Sequence, residues 1–235
     1  MNIVITGASK GMGKAIATEF ASDKQGHTFF LCARNIYELE NTGRELQGRF
    51  PRTNIYTHQC DVTSIKDLQT LTAKINSLAD KIDVLVNNAG IFIPGSVYNE
   101  EEGMLQKMLD TNLFGAYNLT RMLVPGMIKS RSGHIFNVSS IAALKAYANG
   151  GSYSISKFAI AGFSKNLREE MKPYNIKVTT VYPGAVYTDS WKGTDVDPQR
   201  IMEAEDVAKM IYTAAHLSPQ ACVEEIVIRP QLGDL

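Results

Sequence analysis

The amino-acid sequence predicts an α/β fold, a doubly wound seven-stranded parallel sheet flanked by helices. Three observations predict it. Short apolar runs alternate with longer segments of helical periodicity along the 235 residues, the pattern of strands joined by crossover helices. Several runs, such as Ile3-Val4-Ile5 and Val84-Leu85-Val86, are continuous rather than alternating, as strands covered on both faces are. The first run ends in a glycine-rich turn, Thr6-Gly7-Ala8-Ser9-Lys10-Gly11-Met12-Gly13, that leads directly into a helical pattern.

In chain order the strand candidates are Asn2 to Thr6, Thr28 to Cys32, Asn54 to Gln59, Val84 to Val86, His134 to Ser139, Lys177 to Tyr182 and Glu225 to Ile228. Between them, Met12, Ile16 and Phe20 recur at four-residue spacing, and Ile65, Leu68, Leu71, Ile75 and Leu78 at three and four. Val207, Met210, Ile211 and Ala214 do likewise, so each stripe is expected to seat one helix on the sheet. Right-handed crossovers place a ligand site outside the carboxyl ends of the strands. No internal repeat, Ser/Gly linker or charge block marks a boundary, so residues 1–235 are expected to form one domain. The loosely patterned stretch from Tyr187 to Ala204 reads as a loop, with a small substrate lid around 188–203.

Composition excludes several classes of partner. Lys plus Arg (24) balances Asp plus Glu (24) at zero formal net charge, leaving no chain-wide field for nucleic acid or an anionic membrane. An apolar fraction of 44% with 20% charged residues suits a chain that buries a large core. Cys32, Cys60 and Cys222 form no CxxC pair, and His27, His58, His134 and His216 are scattered without ligand spacing. The expectation is therefore no disulfide framework and no metal. With neither a leader pattern before Asn2 nor ~18 to 20 consecutive apolar residues, a soluble cytoplasmic protein is expected.

The glycine turn has its own chemistry. Glycines there allow positive φ and close approach of the backbone to a pyrophosphate, while the helix that follows offers free N–H groups and the positive end of its dipole. This TGxxxGxG spacing resembles that of the short-chain dehydrogenase/reductase family, and further stretches match the family in order. Asp61-Val62 follows the third strand, Asn87-Asn88-Ala89-Gly90 ends the fourth, and Thr111-Asn112 lies in a helical segment. Ser139-Ser140 ends the fifth strand, Tyr153 to Lys157 opens the next helix, and Pro183-Gly184-Ala185-Val186-Tyr187-Thr188 follows the sixth. The resemblance implies a single-domain Rossmann fold that binds a nicotinamide dinucleotide through Thr6, Gly7, Ser9, Lys10, Gly11, Met12 and Gly13. It also implies cofactor contacts from Asp61, Val62, Asn88, Ala89 and Gly90, and from Pro183, Gly184, Val186 and Thr188.

Cofactor type is read at the second strand, which ends Cys32-Ala33-Arg34-Asn35. The acidic residue that would bind an adenosine ribose 2′-hydroxyl is missing, and a guanidinium suits a 2′-phosphate. In the family a base there, together with one before the second motif glycine, here Lys10, goes with NADP. NADP(H) is the expected cofactor.

Tyr153 and Lys157 stand four residues apart, so one helical face carries both. A free phenol has a pKa of about 10, and an adjacent ammonium is expected to lower it towards the working range. Ser140, thirteen residues before Tyr153, stands at the family's substrate-orienting position, where a hydroxyl can polarise a carbonyl oxygen. Ser139 is its competitor, since alternation lets only one of the two face the cleft. Asn112 matches the family asparagine that holds a water near the lysine. The resemblance thus implies hydride exchange between NADP(H) and a small-molecule carbonyl or alcohol by a homodimer or homotetramer. Tyr153 and Lys157 also touch the cofactor in this reading. The alternatives are a regulatory protein that binds NADPH without turnover and an NAD-dependent alcohol dehydrogenase. Phe92, Leu144, Tyr147 and Trp191 suggest a partly aromatic substrate pocket.

Overall fold

The apolar runs become seven parallel strands: β1 Asn2–Thr6, β2 Thr28–Ala33, β3 Asn54–Gln59, β4 Val84–Asn87, β5 Gly133–Val138, β6 Ile176–Pro183 and β7 Glu225–Ile228. They lie in the order β3-β2-β1-β4-β5-β6-β7. The structure, a computed structural model, describes residues 1–188, 191 and 195–234. The strand order reverses between β1 and β4, where Ile3, Val4 and Ile5 pair with Val84, Leu85 and Val86. That switch point opens a crevice at the carboxyl ends of the two strands.

Among the described residues seven α-helices pack around the sheet: α1 Gly11–Ser22, α2 Ile36–Arg49, α3 Ile65–Leu78, α4 Met104–Leu109, α5 Gly115–Ser130, α6 Gly151–Met171 and α7 Ala204–Ala215. The continuous apolar strands feed two cores by alternation. Ile3, Ile5, Val86 and Phe136 pack on one face with Ile16 and Phe20 of α1, Leu39 and Leu46 of α2, and Val207 and Ile211 of α7. Val4, Leu85 and Ile135 pack on the other with Leu68, Leu71 and Ile75 of α3, Leu119 and Leu123 of α5, and Leu167 of α6. Each such side chain contributes ~1.5 to 3 kcal/mol by leaving water. Among the described residues no helix is long and apolar enough to cross a membrane.

Two expected stripes are narrower than the spacing suggested. Ile65 and Leu78, at the ends of α3, and Met210 of α7 are exposed. The first two overhang the sheet, whereas Met210 lies beside the buried Val207, Ile211 and Ala214 rather than among them. Helix α2 has no strong stripe because part of its buried side is Thr42 and Gly43. A Cβ at Gly43 would stand 2.9 Å from Cγ2 of Thr57, so the helix sits close on β3.

Part of the expected lid lies outside the described residues, namely Asp189, Ser190, Lys192, Gly193 and Thr194. Its base is closed by main-chain bonds from Tyr187 N to Met202 O (2.8 Å) and from Met202 N to Ala185 O (3.0 Å). Arg200 donates to the carbonyls of Gly233, Leu232 and Asp234, tying this loop to the C-terminal segment.

Candidate active site

At the end of β1 the chain turns through Gly7 and Gly11, both at positive φ (65° and 53°). Only a glycine takes up such a conformation without strain. Gly13 is fixed by space instead, since a Cβ there would meet the Gly7 carbonyl oxygen at 2.3 Å. Lys10 precedes α1, and its side chain accepts no bond from the first N–H groups of that helix.

The turn is braced from β4. Asn88 Nδ2 donates to the carbonyls of Thr6 (2.9 Å) and Gly7 (3.2 Å). The Thr6 hydroxyl accepts from the N–H groups of Asn88 (3.0 Å) and Ala89 (2.9 Å). Thr6, expected as a cofactor contact, thus has its hydroxyl committed to locking two loops together. Asn88 keeps a buried Oδ1 without a hydrogen-bond partner, an acceptor suited to a sugar hydroxyl. A cradle too tight for side chains, uncovered helix N–H groups and this orphaned acceptor together fit a dinucleotide.

Other expected contacts gather around the cradle. A Cβ at Gly11 would lie 3.3 Å from Cγ2 of Thr188, so the segment after β6 reaches the glycine turn. Gly184 packs against Pro230 and donates its N–H to Ile228 (2.8 Å). Val186 is buried, and Ser9 accepts at its carbonyl from Thr42. Met12 packs against the core. Val62 packs on Gly115, whose Cβ would stand 2.8 Å from that of Val62.

Arg34 is exposed at the end of β2 and lines a cavity of about 390 Å³ with His58, Gln59, Asp61, Asp67 and Thr70. The two carboxylates there are turned to their own loop. Asp61 accepts from Thr63 N–H and hydroxyl, and Asp67 from Asp61 N–H and the Ser64 hydroxyl. These bonds, with that of the Asp61 N–H foremost, hold the Asp67 carboxyl below its usual range. Arg34 therefore adds a guanidinium to a cavity whose acids are already partnered.

On the other side of the switch point, α4 runs into a wider π-type turn, Asp110–Phe114, before α5. Such turns recur at functional sites. This one carries the buried Asn112, whose Oδ1 accepts from Ile91 N (2.8 Å) and whose Nδ2 donates to Ile91 O (3.0 Å) and Ser156 Oγ (2.9 Å). The Ser156 hydroxyl in turn donates to the Tyr153 carbonyl (2.7 Å). The Asn112 side chain thus fixes the Gly90-Ile91 loop against α6.

The two serines divide as alternation requires. Ser139 donates to the Lys157 carbonyl (2.9 Å), whereas Ser140 accepts from Ala142 N (3.1 Å) and lies near enough to the Tyr153 phenol to oppose its rise. Phe92 stands edge-on to the Tyr153 ring at 4.8 Å. Lys157 is buried, donates to Val138 O at 3.1 Å, and places Nζ 5.7 Å from the centre of that ring.

The electrostatics depart from expectation. Burial pushes the Tyr153 phenol up to about 12, with a Ser140 hydrogen bond opposing and Tyr147 adding to the rise. Burial also lowers Lys157 to about 8. The ammonium does not offset the phenol's rise, because it is spent on the Val138 carbonyl and lies beneath the ring. At neutral pH the pair is a protonated phenol beside a costly buried cation.

Sequence reasoning missed Glu100. Its carboxylate accepts from the Ser152 N–H (2.8 Å) and the Ser152 hydroxyl, capping α6 one residue before Tyr153. In the sequence it is one of three acids, Glu100-Glu101-Glu102, and nothing distinguishes it from a solvated charge run. Also missed was the buried chain in which Asn87 donates to Thr120 and Asn137, and Asn137 to Ser164. It ties β4 and β5 to α5 and α6 behind the site.

Comparison with known proteins bears on the same residues. The family model described as short chain dehydrogenase matches residues 1–199. A sepiapterin reductase from Chlorobaculum tepidum is 36% identical over 239 residues, covering 99% of this chain and 97% of that protein. A metagenomic short-chain oxidoreductase solved in complex with NADP superposes with a TM-score of 0.85 at 28% identity, over 98% of this chain and 97% of that one. The L-sorbose reductase of Gluconobacter frateurii, solved with NADPH and L-sorbose, gives a TM-score of 0.88 at 26% identity, over 97% and 94%.

Proposed function

The chain belongs to the short-chain dehydrogenase family, and from that premise we propose that it is a reductase using NADPH to convert a ketone or aldehyde carbonyl to an alcohol. The observation that carries the reading is the protonated Tyr153 phenol held beside Ser140 and Lys157 at the mouth of a dinucleotide cradle. The bound nicotinamide supplies the hydride. Everything else is work for side chains of this protein.

Tyr153 donates its phenolic proton to the carbonyl oxygen as that oxygen gains charge, and a group raised to about 12 is present as the acid at neutral pH. Ser140 offers its hydroxyl to the same oxygen, fixing the carbonyl and stabilising the nascent alkoxide. Lys157 uses one of its three N–H donors on Val138 O, which leaves two for the nicotinamide ribose hydroxyls. Asn112 is a positioning residue that fixes Ile91 and, through Ser156, the turn of α6 bearing Tyr153. Gly7, Ser9, Gly11, Met12 and Gly13 would hold the pyrophosphate, with Asp61, Val62, Asn88, Ala89 and Gly90 around the adenosine and ribose. Pro183, Gly184, Val186 and Thr188 would present the carboxamide end. Arg34 and Lys10 would take the 2′-phosphate.

Homo-oligomerisation belongs to this proposal as well, since Leu105, Phe114, Tyr117, Ile155 and Phe158 expose apolar surface on α4, α5, α6 and the turn between the first two. The test of function is NADPH oxidation across carbonyl classes: pterins headed by sepiapterin, sugars, steroids, acyl thioesters and quinones. Reduction of one class supports the reading. NADPH binding without turnover of any would favour the regulatory alternative, and turnover with NADH alone the NAD-dependent one.

A further inference from the structure

At the end of the sheet opposite the cradle, three side chains from distant parts of the sequence converge. Asp23 follows α1, His27 leads into β2 and His216 ends α7. The Nε2 atom of His27 lies 2.8 Å from Asp23 Oδ2, that of His216 lies 3.9 Å from the same oxygen, and the three ligand atoms are all within 4.8 Å of one another. We propose that Asp23, His27 and His216 form a binding site for a divalent transition cation of the zinc type, with water as a fourth ligand.

Geometry and surroundings support it. Ligand bonds of about 2.0 to 2.1 Å in a tetrahedron put neighbouring ligand atoms about 3.3 Å apart. The two separations from Asp23, 2.8 and 3.9 Å, bracket that value, and all three ligand atoms lie within 4.8 Å of one another, so rotamer adjustments would complete the set. Both imidazoles are also aimed from behind. His216 Nδ1 contacts the Tyr212 carbonyl (2.8 Å) and His27 Nδ1 the Met1 amine (3.1 Å), which turns both Nε2 atoms towards Asp23. A carbonyl accepting from the second ring nitrogen, as Tyr212 O does at His216, orients metal-ligating histidines in this way.

The Asp23 carboxylate is held in place by the Gln25 N–H (2.8 Å, to Oδ1) and the Tyr212 hydroxyl (3.2 Å, to Oδ2). Phe20, Phe29 and Tyr212 wall the imidazoles with aromatic rings. His27 and Asp23 have 2% and 9% of their side chains exposed, while His216 keeps 24%, which leaves an entry path. On binding, the metal takes the His27 Nε2 lone pair, the ring keeps its proton on Nδ1, and the Met1 ammonium gives up one proton so that its amine accepts from that N–H; one proton is released in all. Because the ligands come from α1, β2 and α7, the ion would staple three elements at the end remote from the cradle.

The test is titration of the full chain with zinc chloride, followed by calorimetry and thermal melting, for the wild type, His216→Ala, Asp23→Asn and Cys222→Ser. His216 is the most exposed ligand, so its variant keeps the fold, and circular dichroism verifies this for each protein. The expected result is one zinc per chain and a raised Tm in the wild type and Cys222→Ser. Affinity should fall at least ~10-fold in the other two variants. Cobalt(II) should give a tetrahedral visible spectrum without thiolate charge transfer. Absence of saturable binding, unchanged affinity in His216→Ala, or loss of binding in Cys222→Ser would each overturn the proposal.

Discussion

Replacing Lys157 by Met should remove activity and abolish a rise of stability with pH, while changing stability at neutral pH by no more than ~1 kcal/mol in either direction. Burial lowers the Lys157 ammonium from 10.5 to about 8. At about pH 7 the cation remains charged in both states, and a difference of roughly 2.5 units costs the folded state about 3 kcal/mol. The sign follows from proton counting. The folded state binds fewer protons than the unfolded chain between about 8 and 10.5, so this group makes stability rise with pH through that window. Methionine has a similar shape and no charge. It sacrifices the bond to Val138 O, worth about 1 kcal/mol, and leaves that carbonyl unpaired at ~1 to 3 kcal/mol. The net change at about pH 7 therefore lies between ~1 kcal/mol gained and ~1 kcal/mol lost. The sharper signature is the disappearance of the pH-dependent rise. Tyr153 and Tyr182, both pushed up to about 12, weaken stability only above the ordinary tyrosine value of about 10. Urea unfolding at about pH 7 and about pH 9.5, for the wild type and Lys157→Met, isolates the lysine. A rise in midpoint of equal size in both proteins would refute the assignment of a buried, strained ammonium.

Three further outcomes follow from the geometry. Arg34→Ala should weaken NADPH affinity by roughly 10- to 100-fold, the worth of charged hydrogen bonds, and leave NADH affinity unchanged. Fluorescence titration reads both, and equal losses would remove Arg34 from phosphate recognition. Gly13→Ala forces a Cβ to within 2.3 Å of the Gly7 carbonyl; nicotinamide binding should fall below detection by the same titration. Glu100→Ala removes the cap on α6, at ~1 to 2 kcal/mol. Its urea midpoint should drop accordingly, and Glu100→Gln should recover part of the loss.

Sequence alone made the sheet legible, because parallel strands covered on both faces are continuous apolar runs bounded by polar turns. Some of their ends were one residue off, at Ala33, Asn87, Gly133, Val138, Ile176 and Pro183. Helix α2 was illegible as a stripe, because Thr42 and Gly43 do on its buried side what leucines do elsewhere. Motif spacing named Ser140, Tyr153 and Lys157, which the fold brings to one place. It misjudged what the lysine does to the tyrosine, since a pKa is set by burial and by where the ammonium spends its hydrogen bonds. It named Asn112 but not its partners Ile91 and Ser156, because these come from other elements. His27 and His216 were read as scattered, since nothing in a linear pattern shows that Asp23 stands between them.

The proposed chemistry rests on the Tyr153 proton, and the most direct test compares wild type with Tyr153→Phe in two assays on the same preparations. One is NADPH binding by fluorescence. The other is NADPH-dependent reduction of whichever carbonyl the screen finds. The account predicts affinity within about twofold of wild type, because phenylalanine keeps the ring against Phe92, and turnover lower by ~100-fold or more. Turnover that survives the substitution would contradict it.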